Sequence, residues 1–267
     1  MGSNTQRRTH ATRNTQYVTP SLESKWVTVG GRRMHARVSE GGGLPPVVLV
    51  HGLGVSSRYM VPTALRMAPY CSVYAVDLPG FGKSAHPPHA LDVPRMADAL
   101  DAWMAAVGLA GAAFIGNSMG CQAIVDLAVR YPHRVERAVL VGPTFDRKSR
   151  ASLVVLLLRV LRDGRWEPKL LSPIVIYDYL SAGLIRIAIT LRYGLRDRIE
   201  EKLPLVKAPM LVVRGEHDAV VPLNWARQVA RLLPSGRLVV IRGASHAINF
   251  SAPEKLARVA LGFFAIP

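Results

Sequence analysis

Short apolar runs recur along this chain at spacings that suit strands alternating with helices. Val47-Val48-Leu49-Val50, behind Pro45-Pro46, is an unalternated aliphatic run, as expected of a strand buried on both faces of a parallel sheet. Residues 72–76, 112–115, 138–141, 210–213 and 238–241 share its texture. Helix-length segments separate most of them, the best being 93–107, 118–131, 223–233 and 253–264. Residues 26–29 and 34–38 flank Gly30-Gly31 and predict a hairpin. Together these elements predict an α/β fold: a mostly parallel, doubly wound sheet covered on both faces.

The alternation breaks between residues 144 and 207. There 153–161 and 184–191 carry helical patterns and no strand is evident. The chain therefore divides into a tail (1–24), a core (25–143 and 208–267) and an inserted helical cap (144–207). Leu153-Val154-Val155-Leu156-Leu157-Leu158, flanked by Arg150, Arg159 and Arg162, has two readings. It is a membrane-surface helix with a basic margin, or a cap helix burying its leucines on the core. Burial is the expectation.

Composition narrows the class. At 267 residues with 49% hydrophobic residues, the chain can fill a substantial core. Its two cysteines, Cys71 and Cys121, sit far apart in apolar settings; they read as reduced core residues, which suits a cytoplasmic protein. No apolar stretch reaches the roughly 20 residues needed to span a bilayer, and the N-terminus lacks the apolar region of a secretory signal. The net charge of +16 is unevenly spread. Arg7, Arg8, Arg13 and Lys25 face one acid, Glu23, in a polar tail, while residues 147–207 hold thirteen basic and six acidic residues. No nucleic-acid motif accompanies the charge, so nucleic acid is not an expected partner. The basic surface reads as a solvated face, with peripheral membrane contact through tail or cap as the lesser alternative.

Candidate chemistry begins at Gly116-Asn117-Ser118-Met119-Gly120, between an expected strand and an expected helix. So tight a turn strains the serine backbone, and glycines without Cβ let the neighbouring chains approach. The hydroxyl is pushed outward as a potential nucleophile, and the first amides of the following helix can bind an oxyanion. Serine needs a base and a group to orient that base. Asp218, after the strand at 210–213, and His246, after the last strand, follow Ser118 in the order that goes with such a turn. Glu216 and Asp146 compete with Asp218 for the acid's role. His51 reads as structural, and His217 as a neighbour of the triad that takes no part.

His51-Gly52-Leu53-Gly54 and Asp77-Leu78-Pro79-Gly80-Phe81-Gly82-Lys83-Ser84, taken with the serine turn and the two downstream loops, make five ordered motifs. By these the chain resembles the α/β-hydrolase superfamily over nearly all of 26–264 except the cap. The resemblance implies that Ser118 attacks, His246 shuttles the proton, Asp218 holds the imidazole, and the backbone amides of Leu53 and Met119 bind the oxyanion. It implies no metal and no organic cofactor, and a small-molecule substrate. Serine at the nucleophile position argues against the relatives that use aspartate there. Hydrolysis of a carboxylic ester or lactone of small to medium apolar character, through an acyl-enzyme, is the expected activity.

Asn117-Ser118-Met119 also resembles the meta-cleavage-product hydrolases, which cut a carbon–carbon bond in vinylogous diketo acids. On that reading Asn117 is a possible substrate contact, and Arg186, Arg192 and Arg196 are carboxylate partners. Against it, Ala247 follows His246 where many members of that group have tryptophan. A ligand receptor or scaffold on the same fold is the alternative of another class. The cap aliphatics Leu156, Leu157, Ile174, Ile176, Leu184 and Ile187 suggest an apolar pocket or packing between cap helices.

Overall fold

The computed structural model describes residues 21–146, 148 and 152–265. Most of the expected basic tail lies outside those residues. Eight strands form one sheet: β1 (Glu23–Val29), β2 (Arg32–Ser39), β3 (Leu44–Val50), β4 (Cys71–Val76), β5 (Ala112–Asn117), β6 (Val135–Val141), β7 (Met210–Gly215) and β8 (Arg237–Ile241). Their spatial order is β1-β2-β4-β3-β5-β6-β7-β8. β1 and β2 are antiparallel to their neighbours, and all pairings from β4 to β8 are parallel. The expected hairpin turns on Gly30 and Gly31, whose positive φ angles of 54° and 76° suit the tight turn that matches strand twist. The expected end of the tail at residue 24 is corrected: Glu23 and Ser24 already pair with Val38 and Arg37.

Side-chain alternation explains the unbroken apolar strands. Val48, Val50, Phe114, Leu140 and Val212 belong to one core cluster, under α2 (Val93–Ala106), α3 (Gly120–Arg130) and α8 (Leu223–Leu232). Val47, Leu49, Ile115, Val139 and Val213 belong to the other, under α1 (Ser57–Met67), α9 (Ile248–Ser251) and α10 (Pro253–Phe264). Successive residues point to opposite faces and both faces are covered, so neither set can be polar. Helix α1 was not expected from the pattern. It carries Pro62 in its interior, a residue that removes a backbone donor and signals a break.

Between β6 and β7 the described residues form α4 (Leu153–Asp163), α5 (Leu171–Ala182), α6 (Leu184–Arg196), α7 (Ile199–Lys202) and a 3₁₀ turn (Leu203–Leu205), with no strand. The expected burial of the α4 leucines is overturned. In α4 only Leu156 and Asp163 are buried, while Leu153, Leu157, Leu158 and Leu161 are each about 60% exposed. The insert is tied down through other contacts. Ser56 Oγ donates to Asp178 Oδ2 at 2.7 Å, and Gln122 Nε2 donates to the Gly194 carbonyl at 2.9 Å.

Candidate active site

The carboxyl ends of β3, β5, β7 and β8 deliver the candidate residues to one edge of the sheet, where open α/β sheets form their crevices. Ser118 follows β5 with φ +57°, the only positive φ of a non-glycine residue among those described. Its N–H donates to the Val141 carbonyl at 2.8 Å, and its own carbonyl accepts from Cys121 N–H at 3.0 Å. Neighbours crowd both bracketing glycines, and at Gly120 the crowding is from backbone. A Cβ on Gly116 would stand 2.5 Å from Ile124 Cδ1, and one on Gly120 would stand 2.6 Å from the Val50 carbonyl oxygen. At Gly120, α3 and the end of β3 therefore meet more closely than any side chain permits.

Asp218 follows β7 with its side chain fully buried, and His246 follows β8 with 13% of its side chain exposed. His246 Nδ1 lies 3.0 Å from Asp218 Oδ2, while Asp218 Oδ1 accepts from Val221 N–H at 2.8 Å. The rival acids are engaged elsewhere. Glu216 Oε2 accepts from Gly243 N–H at 2.8 Å, and Asp146 Oδ1 accepts from Arg159 Nη1 at 2.6 Å. His217 stacks flat on Trp166 with ring centres 4.0 Å apart.

Two details join the serine loop to the histidine loop. Asn117 Nδ2 donates to the His246 carbonyl at 3.2 Å. Gly142, one residue beyond the carbonyl that holds Ser118, has φ +55°, and a Cβ there would lie 2.9 Å from the His246 ring and 3.2 Å from Asp218 Oδ2. Asn117 is 1% exposed. Its expected role as a substrate contact is thus corrected to that of a brace between loops.

The His51 loop approaches from the other side. A Cβ on Gly52 would lie 3.1 Å from Ser118 Cβ. His51 is fully buried; its Nε2 accepts from Leu78 N–H at 3.0 Å and its Nδ1 faces the Gly52 carbonyl at 2.8 Å. Burial lowers its pKa, keeping the ring neutral, as this donor–acceptor arrangement requires. Leu53 follows Gly52, and Met119 follows Ser118 at the N-cap of α3. Their amides are candidate oxyanion donors.

Four further residues shape the site and escaped sequence reasoning. Arg214 ends β7 with its guanidinium donating to the carbonyls of Val221, Gly215, Glu216 and Asp218. It staples the loop that carries Asp218. The signal was present in the sequence, as a lone charge closing an aliphatic strand. Asp163 Oδ1 accepts from Ala219 N–H at 3.0 Å, and Glu167 Oε1 accepts from Ala247 N–H at 2.7 Å. Each carboxylate of the insert thus grips the amide immediately after a candidate triad residue. Tyr179 covers Gly54, where a Cβ would stand 2.5 Å from its ring.

This acidic surround governs His246. Burial alone would lower its pKa, but the charge and hydrogen bond of Asp218, with Asp163 and Glu167 behind, raise it to about 9. Burial, opposed by the Ala247 amide and reinforced by Asp163, pushes the Glu167 carboxyl up to about 7.

The three arginines expected as carboxylate partners all lie on α6, and two of them face outward. Helix α6 buries Ile187, Thr190 and Gly194, the last against Phe145, Met119 and Gln122. Arg192 and Arg196 stand about 200° around the helix from Gly194 and are exposed. Arg186 Nη2 donates to the Pro87 carbonyl at 2.7 Å. Of the expected pocket aliphatics, Leu156 and Ile187 are buried, whereas Leu157, Ile176 and Leu184 are exposed. Among the described residues, no group of three or more His, Cys, Asp and Glu side chains could hold a metal ion.

Comparison with known proteins agrees with this architecture. The chain is 29% identical to a pimeloyl-[acyl-carrier protein] methyl ester esterase of Vibrio campbellii, over 76% of this chain and 88% of that one. It is 27% identical to a 2-hydroxy-6-oxononadienedioate/2-hydroxy-6-oxononatrienedioate hydrolase of Burkholderia vietnamiensis, over 92% and 96%. Among solved structures, a serine hydrolase involved in carbazole degradation superposes with a TM-score of 0.79 at 24% identity, over 92% of this chain and all of that one. The model of the alpha/beta hydrolase family matches residues 47–259. With that match over most of its length, and with the strand order described above, the chain belongs to the alpha/beta hydrolase family.

Proposed function

We propose that the protein is a serine hydrolase that cleaves a carboxylic ester or lactone of a small to medium apolar substrate. The observation that carries this reading is the buried Asp218–His246 pair at 3.0 Å, its histidine loop tied through Asn117 to a serine held at positive φ. His246 takes the Ser118 proton as the Oγ–carbonyl bond forms. The Leu53 and Met119 amides stabilise the tetrahedral oxyanion, and the proton passes to the leaving alcohol as the ester C–O bond breaks. Water, deprotonated by His246, then attacks the acyl-enzyme and releases the acid. The relationship to a methyl ester esterase supports ester chemistry.

The test uses p-nitrophenyl esters of short and medium chain together with a fluorophosphonate probe. Turnover and labelling are expected, and Ser118→Ala should lose both, with kcat falling about 10,000-fold or more. Absence of turnover and of labelling in the native enzyme would sink the assignment. A second reading, hydrolysis of a carbon–carbon bond in a vinylogous diketo acid, is favoured by the Burkholderia relative and disfavoured by the outward Arg192 and Arg196. Consumption of a dienoic diketo acid faster than of any ester would promote it.

A further inference from the structure

The largest unexplained feature lies on the outside of the helical insert. Along α4 the exposed residues Leu153, Val154, Leu157, Leu158 and Leu161 follow helical spacing, so they form one stripe. The same spacing recurs in α5 at Ile176, Tyr177 and Leu180, and in α6 at Leu184, Ile185 and Ile189, all exposed. Single exposed leucines need no explanation, but exposed apolar stripes on three successive helices mark an interaction surface. Helices α5 and α6 together have the length and apolar composition of a membrane span, yet they bend by 95° at their junction, and among the described residues no single helix is long and apolar enough to cross a membrane.

Charge identifies the occupant. Between residues 152 and 197 every exposed charged residue is basic: Arg162, Arg165, Lys169, Arg192 and Arg196. The acids of that stretch are withdrawn. Asp163 and Asp178 are buried, Glu167 reaches inward to the Ala247 amide, and Asp197 is paired with Lys202. Apolar helices whose own exposed charges are all cationic complement an anionic lipid surface, where headgroups meet the cations and acyl chains take the leucines. A second copy of the chain docked face to face would oppose like charges. A polyanion alone would leave the stripes wet.

We propose that the outer face of α4–α6 docks the protein peripherally on an anionic lipid bilayer. The proposal does not depend on the chemistry assigned to Ser118. In vesicle sedimentation at about 0.1 M salt, the full-length protein should bind phosphatidylcholine–phosphatidylglycerol vesicles and bind pure phosphatidylcholine vesicles far less. The double variant Leu158→Ser, Leu161→Ser should weaken partitioning roughly tenfold or more. Arg162→Gln with Arg165→Gln should weaken it about tenfold and flatten its salt dependence. Thermal unfolding checks that these surface variants are folded. If they are not, the unaltered protein supplies the second readout, because Trp166, between α4 and α5, is 55% exposed and brominated lipids should quench its fluorescence. Failure of the native protein to sediment with anionic vesicles, or unchanged binding by the folded leucine variant, overturns the proposal. So does a concentration-dependent dimer, abolished by the leucine changes, in place of vesicle binding.

Discussion

Ser118 keeps a backbone angle that costs a residue with a side chain on the order of 1–3 kcal/mol, and the residues around it show what holds that strain. Its amide is fixed to Val141, Gly142 admits the His246 ring, and Asn117 braces the histidine loop. Gly142→Ala should therefore displace His246; a misplacement of 1 Å can cost about 100-fold in turnover, measurable on a p-nitrophenyl ester with protein stability checked alongside. The acidic surround makes a second prediction. His246 serves as a base only when neutral, and with its pKa raised to about 9 kcat/KM should climb as pH rises through 9 and then level. Asp163→Asn and Glu167→Gln keep an oxygen for the Ala219 and Ala247 amides but remove negative charge. The imidazole pKa should fall and the midpoint of the profile move to lower pH. Asp163→Ala and Glu167→Ala, which also release the amides, should lower kcat itself. A midpoint that stays fixed in all four variants would reject the electrostatic role.

At the scale of elements, the strands were legible because both faces of the sheet are covered, which leaves an aliphatic texture that no surface segment shares. The serine turn and the loops of Asp218 and His246 were legible for a related reason: tight strand ends demand glycines at fixed spacing. Helix α1 was hidden by Pro62, and the length of α6 by its mixed faces. Arg214 could have been found, since a charge at the end of Met210–Gly215 has to be satisfied locally. Arg214→Met should strand four carbonyls and weaken the Asp218 loop. A loss of about 2 kcal/mol or more is expected, a fall in Tm of several degrees for a chain of this size, with an accompanying loss of kcat. Phe114→Ala, at a fully buried position in β5, should cost about 3–5 kcal/mol by chemical denaturation. A loss below about 1 kcal/mol would mean the core closes over the gap.

Across the whole molecule the insert and the sheet share one core. Leu156, Ala182, Ile187, Ile199 and Leu203 belong to the same cluster as Phe114 and Leu140, and the Asp163, Glu167 and Asp178 bonds cross the boundary. Calorimetry should therefore show one cooperative transition, with calorimetric and van't Hoff enthalpies equal. Two resolved transitions would show the insert to be an independent unit. By itself the sequence determined the α/β alternation, the position of the strained serine and the order of its candidate partners, because these are properties of neighbouring residues and of backbone turns. Only the tertiary structure decided which carboxylate meets His246, that Asn117 is a brace, that two acids of the insert grip the loops, and that the α4 leucines face outward. Those outcomes depend on which side of a helix meets the core. Periodicity records that a helix has an apolar side, but not whether protein or another phase covers it.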